Sequence, residues 1–470
     1  MSAVDPLSVQ RGSIIAPAGC GKTYTIAASL LGNTESKPVL VLTHTNAGVS
    51  ALKKRLAEFK VPSSSYRLAT IDGWAKRIIG HFPERSGHDP RILDIGNPGQ
   101  DYPAIKQHAL ELLMTSHITD ILKASYSRLL VDEYQDCMMQ QHKIVVALAS
   151  IMPTCVFGDE LQCIFSWSGD KPDWEGEVLK QFPVACELKT PHRWINAGKT
   201  DLGDWLLAIR PVLKAGGPID LRDAPADVVW MELDGVDDEE VFRKAAQSAP
   251  PEKGGSVLII CKGTDKPRQQ KFARETPGAV LIENVDLTDF IDFAENFNFG
   301  SPNATHDLVD FARSMMTGVG ASNLKTRLAS LTAESATKAA TKAEQALLDF
   351  AQSPSPKSAN DVLVAINKQS GVGLHRPTIL SACLRALNSC SDEAEFKETA
   401  VAVREQQRIV GREVRGRAVG STLLVKGLEA DVSVVLDTNP IVAEDLYVAL
   451  TRGAHKIVVC SPTPIITPKG

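Results

Sequence analysis

Residues 13–27, SIIAPAGCGKTYTIA, join a short apolar run, a turn carrying two glycines and the opening of a helix. This order constrains the chain more than any other feature, because strand, glycine turn and helix make a βα unit that leads into a parallel sheet. Gly19 and Gly21 let the backbone curl so that successive N–H groups face one point, and a helix starting near Lys22 aims its positive dipole end at the same point. Such a turn cradles a phosphate. Lys22 is then expected to reach the β/γ-phosphates of a nucleoside triphosphate, and the Thr23 hydroxyl to ligand Mg²⁺. Ala16 stands where the general pattern has glycine; with Gly19, Cys20 and Gly21 it completes the expected loop.

A chain of 470 residues exceeds one core, at about 100–200 residues per domain. Its net charge of −5 argues against a protein that coats nucleic acid through a global basic surface, so contacts of that kind must come from local patches. The nine cysteines are scattered, with no CxxC pair, which reads as reduced thiols. No apolar run approaches membrane-spanning length and the first residues lack a signal-peptide core, so a cytoplasmic location with no membrane partner is expected.

KPVLVLTHT (37–45) reads as a buried parallel strand, followed by the amphipathic helix NAGVSALKKRLAEF (46–59). RLATIDGWAKRII (67–79) is a short strand running into a helix, and the irregular segment from 81 to 101 opens a small insertion at about 80–125. SRLLVDEYQD (127–136) ends a buried strand in two adjacent carboxylates. Ligands of open parallel sheets sit beyond the carboxyl ends of the strands, so Asp132 is placed to hold Mg²⁺ and Glu133 to polarise an attacking water. TCVFGDELQCIFSW (154–167) puts Gln162 where an amide can sense a terminal phosphate, and Trp167 in a polar setting unusual for a core aromatic. ELKTPHRW (187–194) offers His192 and Arg193.

Together these stretches resemble the superfamily 1 helicases of the UvrD/Rep type. APAGCGKT looks like their motif I, VLTHTNAGVSALKKRL like Ia, ATIDGWAKRII like Ib, LLVDEYQD like II, VFGDELQCIFSW like III and LKTPHRW like IV. Near the C-terminus, LLVKGLEADVSVVLD is similar to motif V and LYVALTRGAHKIVV to motif VI. The resemblance implies ATP and Mg²⁺ as cofactors, Glu133 as catalytic base, and Arg193 and Arg452 as arginine fingers. Gln162 would couple the γ-phosphate to the DNA side, Glu429 would approach the nucleotide sugar, and His192 takes the place of an aromatic ring against adenine. His44, Thr45 and Asn46 of the Ia-like segment would meet DNA, and Trp167 matches a tryptophan on which relatives stack a base. The departures are a missing N-terminal glutamine motif, Asp72 where relatives commonly carry histidine, and a shorter insertion between motifs Ib and II.

SVLIICK (256–262) opens a second α/β domain, strand signals fade between about 299 and 412, and Arg404, Arg408, Arg412, Arg415 and Arg417 cluster where the sheet resumes. The expected fold is α/β: two RecA-like parallel-sheet domains, 1–195 and 196–470, with a small insertion in the first and an all-helical insertion in the second. The expected function is an ATP-dependent single-stranded DNA translocase and helicase, with 3′ to 5′ movement implied by the resemblance. Its partner would be single-stranded or partly duplex DNA. The competing reading is a nucleotide-gated DNA-sensing ATPase that regulates a partner nuclease, as in helicase-like halves of two-gene phage-defence systems such as Gabija.

Overall fold

The computed structural model describes residues 4–164, 170–407, 414 and 416–469. Six strands, β1 (Arg11–Ile15), β2 (Val39–Thr43), β3 (Tyr66–Thr70), β4 (Leu129–Val131), β5 (Thr154–Gly158) and β6 (Val184–Glu187), form one sheet in the order β3-β2-β4-β5-β1-β6. All its pairings are parallel. Both faces are covered, which is why residues 39–42 of β2 read as an unbroken apolar run. Leu40 and Leu42 face a core shared with Trp74, Ile105, Leu112 and Ile144, while Val39 and Val41 face Ile26, Leu30, Leu52 and Leu56.

The helices start where their caps dictate. The Thr45 side chain accepts from Gly48 N at 3.1 Å and starts α2 (Asn46–Glu58), and Thr70 accepts from Gly73 N at 2.9 Å and starts the helix Ile71–His81. Between that helix and β4 stand only short helices and the longer Pro98–Met114, which packs on Ile71–His81.

A second six-stranded sheet runs in the order Ala279–Leu281, Arg417–Ser421, Val257–Cys261, Ala430–Val435, Gly453–Ser461, Val228–Glu232, again parallel throughout. The protein is thus α/β with two RecA-like parallel sheets. Between Leu281 and Arg417 the described residues are almost wholly helical, from Thr288–Asn296 to Glu393–Gln407, apart from a two-residue antiparallel pair, Met316–Thr317 with Gly373–Leu374. This block has its own core, in which Phe293 stacks on Phe311 with ring centroids 3.8 Å apart. It is anchored to the sheet by Arg376, whose guanidinium takes both oxygens of Glu283, at 2.6 and 2.9 Å, and pairs with Asp289 at 2.6 Å.

The two sheets are joined by the helices Thr200–Ala208 and Arg210–Lys214. Their Leu202, Leu206 and Leu213 share one apolar cluster with Ala18 and Leu161 of the first sheet region and with Leu446, Tyr447 and Leu450 of the second. All nine cysteines are free thiols. Among the described residues no helix is long and apolar enough to cross a membrane.

Candidate nucleotide site between the two sheets

The loop after β1 turns through left-handed backbone at Gly19 (φ 73°) and Gly21 (φ 84°) and delivers the chain into α1 (Lys22–Leu31). Neighbours press on both glycines. A Cβ on Gly19 would lie 2.4 Å from Trp194 Cζ3, and one on Gly21 would lie 3.1 Å from His192 Cδ2. Gly21, the N-cap of α1, supplies no side-chain cap, so the dipole end of this ten-residue helix opens into the loop. Ala16 and Cys20 are buried, and Ala16 N donates to Gly158 O at 2.9 Å. Burial pushes the Cys20 thiol up to about 12, which leaves it protonated and inert. Thr23 is half-buried in the first turn of α1.

β1 and β4 are separated in the sheet by β5 alone, so their carboxyl ends address the same space. Lys22 Nζ lies 3.0 Å from Asp132 Oδ1 and pairs also with Glu133. Burial alone would lower the Lys22 pKa; the charges of Asp132 and Glu133 outweigh it and raise it. Burial raises Asp132, whereas for Glu133 the charges of Lys22 and Lys426 outweigh burial and hold it at about 2, ionised. Glu133 sits in left-handed backbone (φ 54°), uncommon for a residue with a Cβ, and its Oε2 accepts from Gln135 Nε2 at 2.5 Å.

Gln162 follows β5. Its Nε2 donates to Asp159 Oδ2 at 2.8 Å and reaches Ala16 O at 3.5 Å. Asp159, 1% exposed, also takes a bidentate pair from Arg210 with both bonds at 2.8 Å, and the Arg210 guanidinium lies 5.0 Å from the Tyr447 ring centroid.

Arg193 and Arg452 converge from different elements on Thr451. Arg193 Nη1 donates to Thr451 O and its Nη2 pairs with Glu429, while Arg452 Nη2 donates to Thr451 Oγ1 at 2.9 Å. The remaining Arg452 bonds go to the carbonyls of Val448 and Leu428. Burial, then the neighbouring Arg193, lowers its pKa to about 10. Arg193 Nε is buried without a hydrogen-bond partner, an unmet donor beside the cradle. His192 is exposed, with its ring against Gly21. Glu429 is exposed and, as first neighbour, holds Arg193.

On the face carrying the Ia-like segment, His44 Nδ1 is 3.2 Å from Gln141 Oε1, and Gln141 Nε2 donates to Asp72 Oδ1 at 2.8 Å. Burial, the largest influence, lowers the His44 pKa. Thr45 is exposed and engaged as the cap of α2, and Asn46 is exposed at its start. Trp167 lies outside the described residues, as do Arg408, Arg412 and Arg415. Arg417 donates to the carbonyls of Ala246 and Ser248, at 2.8 and 2.7 Å, and so packs within the second domain.

Sequence reasoning passed over Arg210, Trp194, Asp136 and Lys426. Trp194 Nε1 donates to Gly453 O at 2.9 Å, and Lys426 reaches Asp136 across the space between the sheets. Asp136 and Lys426 lie inside LLVDEYQD and LLVKGLEADVSVVLD, so their neighbours in the chain were a signal for them; nothing local marks Arg210.

The residues present fit a nucleoside triphosphate with Mg²⁺. The cradle is glycine-built, Lys22 and Arg193 border it, and Thr23 with Asp132 offers hard oxygen donors. Among the described residues no group of three or more His, Cys, Asp or Glu is placed to hold a metal.

No curated protein matches this chain. Residues 2–100 and 96–183 match the family model of the UvrD/REP helicase N-terminal domain, a span that covers β1 to β5 and ends before β6. Over those residues the chain is similar to the N-terminal domain of UvrD-like superfamily 1 helicases, and the second sheet lies beyond the match.

Proposed function

We propose that the protein is an ATP-dependent motor on single-stranded DNA, a translocase and helicase of the UvrD-like kind. The observation that carries this reading is the convergence of Lys22, Asp132 and Glu133 at one end of the first sheet with Arg193, which bonds the loop at Gly19 O and whose guanidinium meets Thr451 and Glu429 of the second domain, next to Arg452. An ATPase whose hydrolysis is to move two domains needs its charge-stabilising groups divided between them.

Bound ATP with Mg²⁺ would supply the phosphoanhydride and neutralise much of its charge. Lys22 with the loop N–H groups would hold the phosphates, and Thr23 and Asp132 the metal. Glu133 would orient the attacking water and take a proton from it at its carboxylate. Arg193 and Arg452 would stabilise charge developing on the transferred group, a contribution on the order of 10³–10⁵ in rate for such arginines. Gln162 would report the terminal phosphate. His44, Thr45, Asn46 and Trp167 remain the candidates for the DNA side, with 3′ to 5′ movement as the family's direction.

The second reading is a nucleotide-gated DNA sensor that regulates a nuclease, in the manner of a phage-defence component. The small helical segment between Ile71–His81 and β4 favours it, since it offers little surface to grip a duplex. Steady-state ATP hydrolysis with and without single-stranded DNA, beside Glu133→Gln, tests the motor. Strong stimulation that disappears in the variant is expected; nucleotide binding without stimulated turnover would overturn it in favour of the sensor.

A further inference from the structure

We propose that Lys426 is a positioning residue that makes Gln162 and the segment carrying Glu133 answer to docking of the second sheet. This rests on the reading of Gln162 and Glu133 given above.

Lys426 follows the short helix Thr422–Val425 of the second domain. Its Nζ lies 2.5 and 2.6 Å from the two oxygens of Asp136 and 2.6 Å from Gln162 O, partners 290 and 264 residues away in the chain. Asp136 belongs to the turn that shapes the base: its N–H donates to Glu133 O at 3.0 Å and closes the 3₁₀ turn Tyr134–Asp136 that follows the left-handed Glu133. The ammonium therefore fixes the turn under Glu133 and, by the same charge, the backbone of Gln162.

Gln162 is gripped at its other end as well, since its amide is held by Asp159 and Asp159 by Arg210. With the amide anchored there, Lys426 is the contact that brings the second sheet to the Gln162 backbone. The Lys426 and Asp136 side chains are 12% and 6% exposed. Withdrawing the lysine would leave a nearly buried carboxylate without its countercharge, so pairing and docking form one step rather than a graded slide.

The test measures ATP hydrolysis with poly(dT) for the wild type, Lys426→Met, Lys426→Arg, Asp136→Asn and the Lys426→Met/Asp136→Asn double variant. In Lys426→Met, kcat should fall about tenfold or more while KM for ATP stays within about threefold, because the phosphate cradle is untouched. Lys426→Arg should recover most of that loss. The double variant should lose no more than Lys426→Met alone, the mark of two residues acting through one contact. Turnover in Lys426→Met within about twofold of the wild type, or losses that multiply in the double variant, would overturn the proposal.

A second measurement reads docking without turnover, through site-specific dyes introduced at the exposed Glu35 and Glu252, one in each domain. A changed transfer efficiency in Lys426→Met is expected, and an unchanged one overturns the proposal. A wild type that fails to hydrolyse ATP would count against the motor reading, while the dye pair would still decide the role of Lys426.

Discussion

Lys22 Nζ stands 3.0 Å from Asp132 Oδ1 although a whole strand, β5, separates the strands that carry them. The contact exists because β1 and β4 end at the same level of a parallel sheet, so a lysine at the head of α1 and an acid after β4 project into one space. With Glu133 added, a single ammonium serves two carboxylates.

Lys22→Met removes the ammonium that pairs with Asp132 and Glu133 and leaves two adjacent acids, one buried and one half-buried, without it. Breaking such a pair costs about 3–5 kcal/mol. Chemical denaturation should show a loss in that range, and ATP turnover should fall by about two orders of magnitude or more. A variant that keeps wild-type turnover would remove Lys22 from the site.

The two loop glycines should respond differently to alanine. Gly19→Ala drives a methyl into the buried Trp194 ring, which is held at Gly453 O, so overpacking of about 1–3 kcal/mol adds to the strain of positive φ. Gly21→Ala meets only the exposed His192 ring, which can move, leaving about 1–2 kcal/mol of backbone strain. Thermal unfolding should therefore place Gly19→Ala below Gly21→Ala, and the reverse order would contradict the packing described.

Arg210→Met is expected to destabilise by about 3–5 kcal/mol, because Asp159 is buried and would lose both charge-assisted bonds. Adding Asp159→Leu should return part of that loss by removing the stranded charge. Hydrolysis should remain impaired in the double variant, since Gln162 then lacks its holder. Full recovery of turnover would show that Gln162 needs no such support.

His375 makes stability depend on pH. Burial, followed by the charges of Arg376 and Arg274, lowers its pKa from 6.5 to about 4. The unfolded chain takes up this proton more readily than the folded one, so the contribution is complete above pH 6.5 and is lost as the pH falls toward 4. At about 1.4 kcal/mol per unit the full effect is roughly 3 kcal/mol. His375→Gln should flatten denaturation midpoints across that window, and an unchanged slope would assign the acid sensitivity to other groups.

The strands of the first sheet and the glycine turn before α1 could be read from the chain alone, because their signals are local. VLVL, residues 39–42, is buried on both faces and is apolar throughout, and the turn before α1 carries glycine where φ is positive, with a lysine one residue after the second. The adjacent acids of LLVDEYQD were visible as a pair after a short apolar strand, since that pattern is local too.

Which distant residues meet around the candidate site emerged from the packing of the two sheets. Arg210 lies in a helix with no motif, and its bond to Asp159 spans 51 residues; Lys426 meets Asp136 across 290. Glu429 proved to be a partner of Arg193, and His44 part of a polar network with Gln141 and Asp72. Periodicity and spacing report what a residue does to its own strand or helix. Pairing of charges between two sheets depends on how those sheets dock, which is set by the shared apolar cluster around Trp194, Leu206 and Tyr447 rather than by any short stretch of chain.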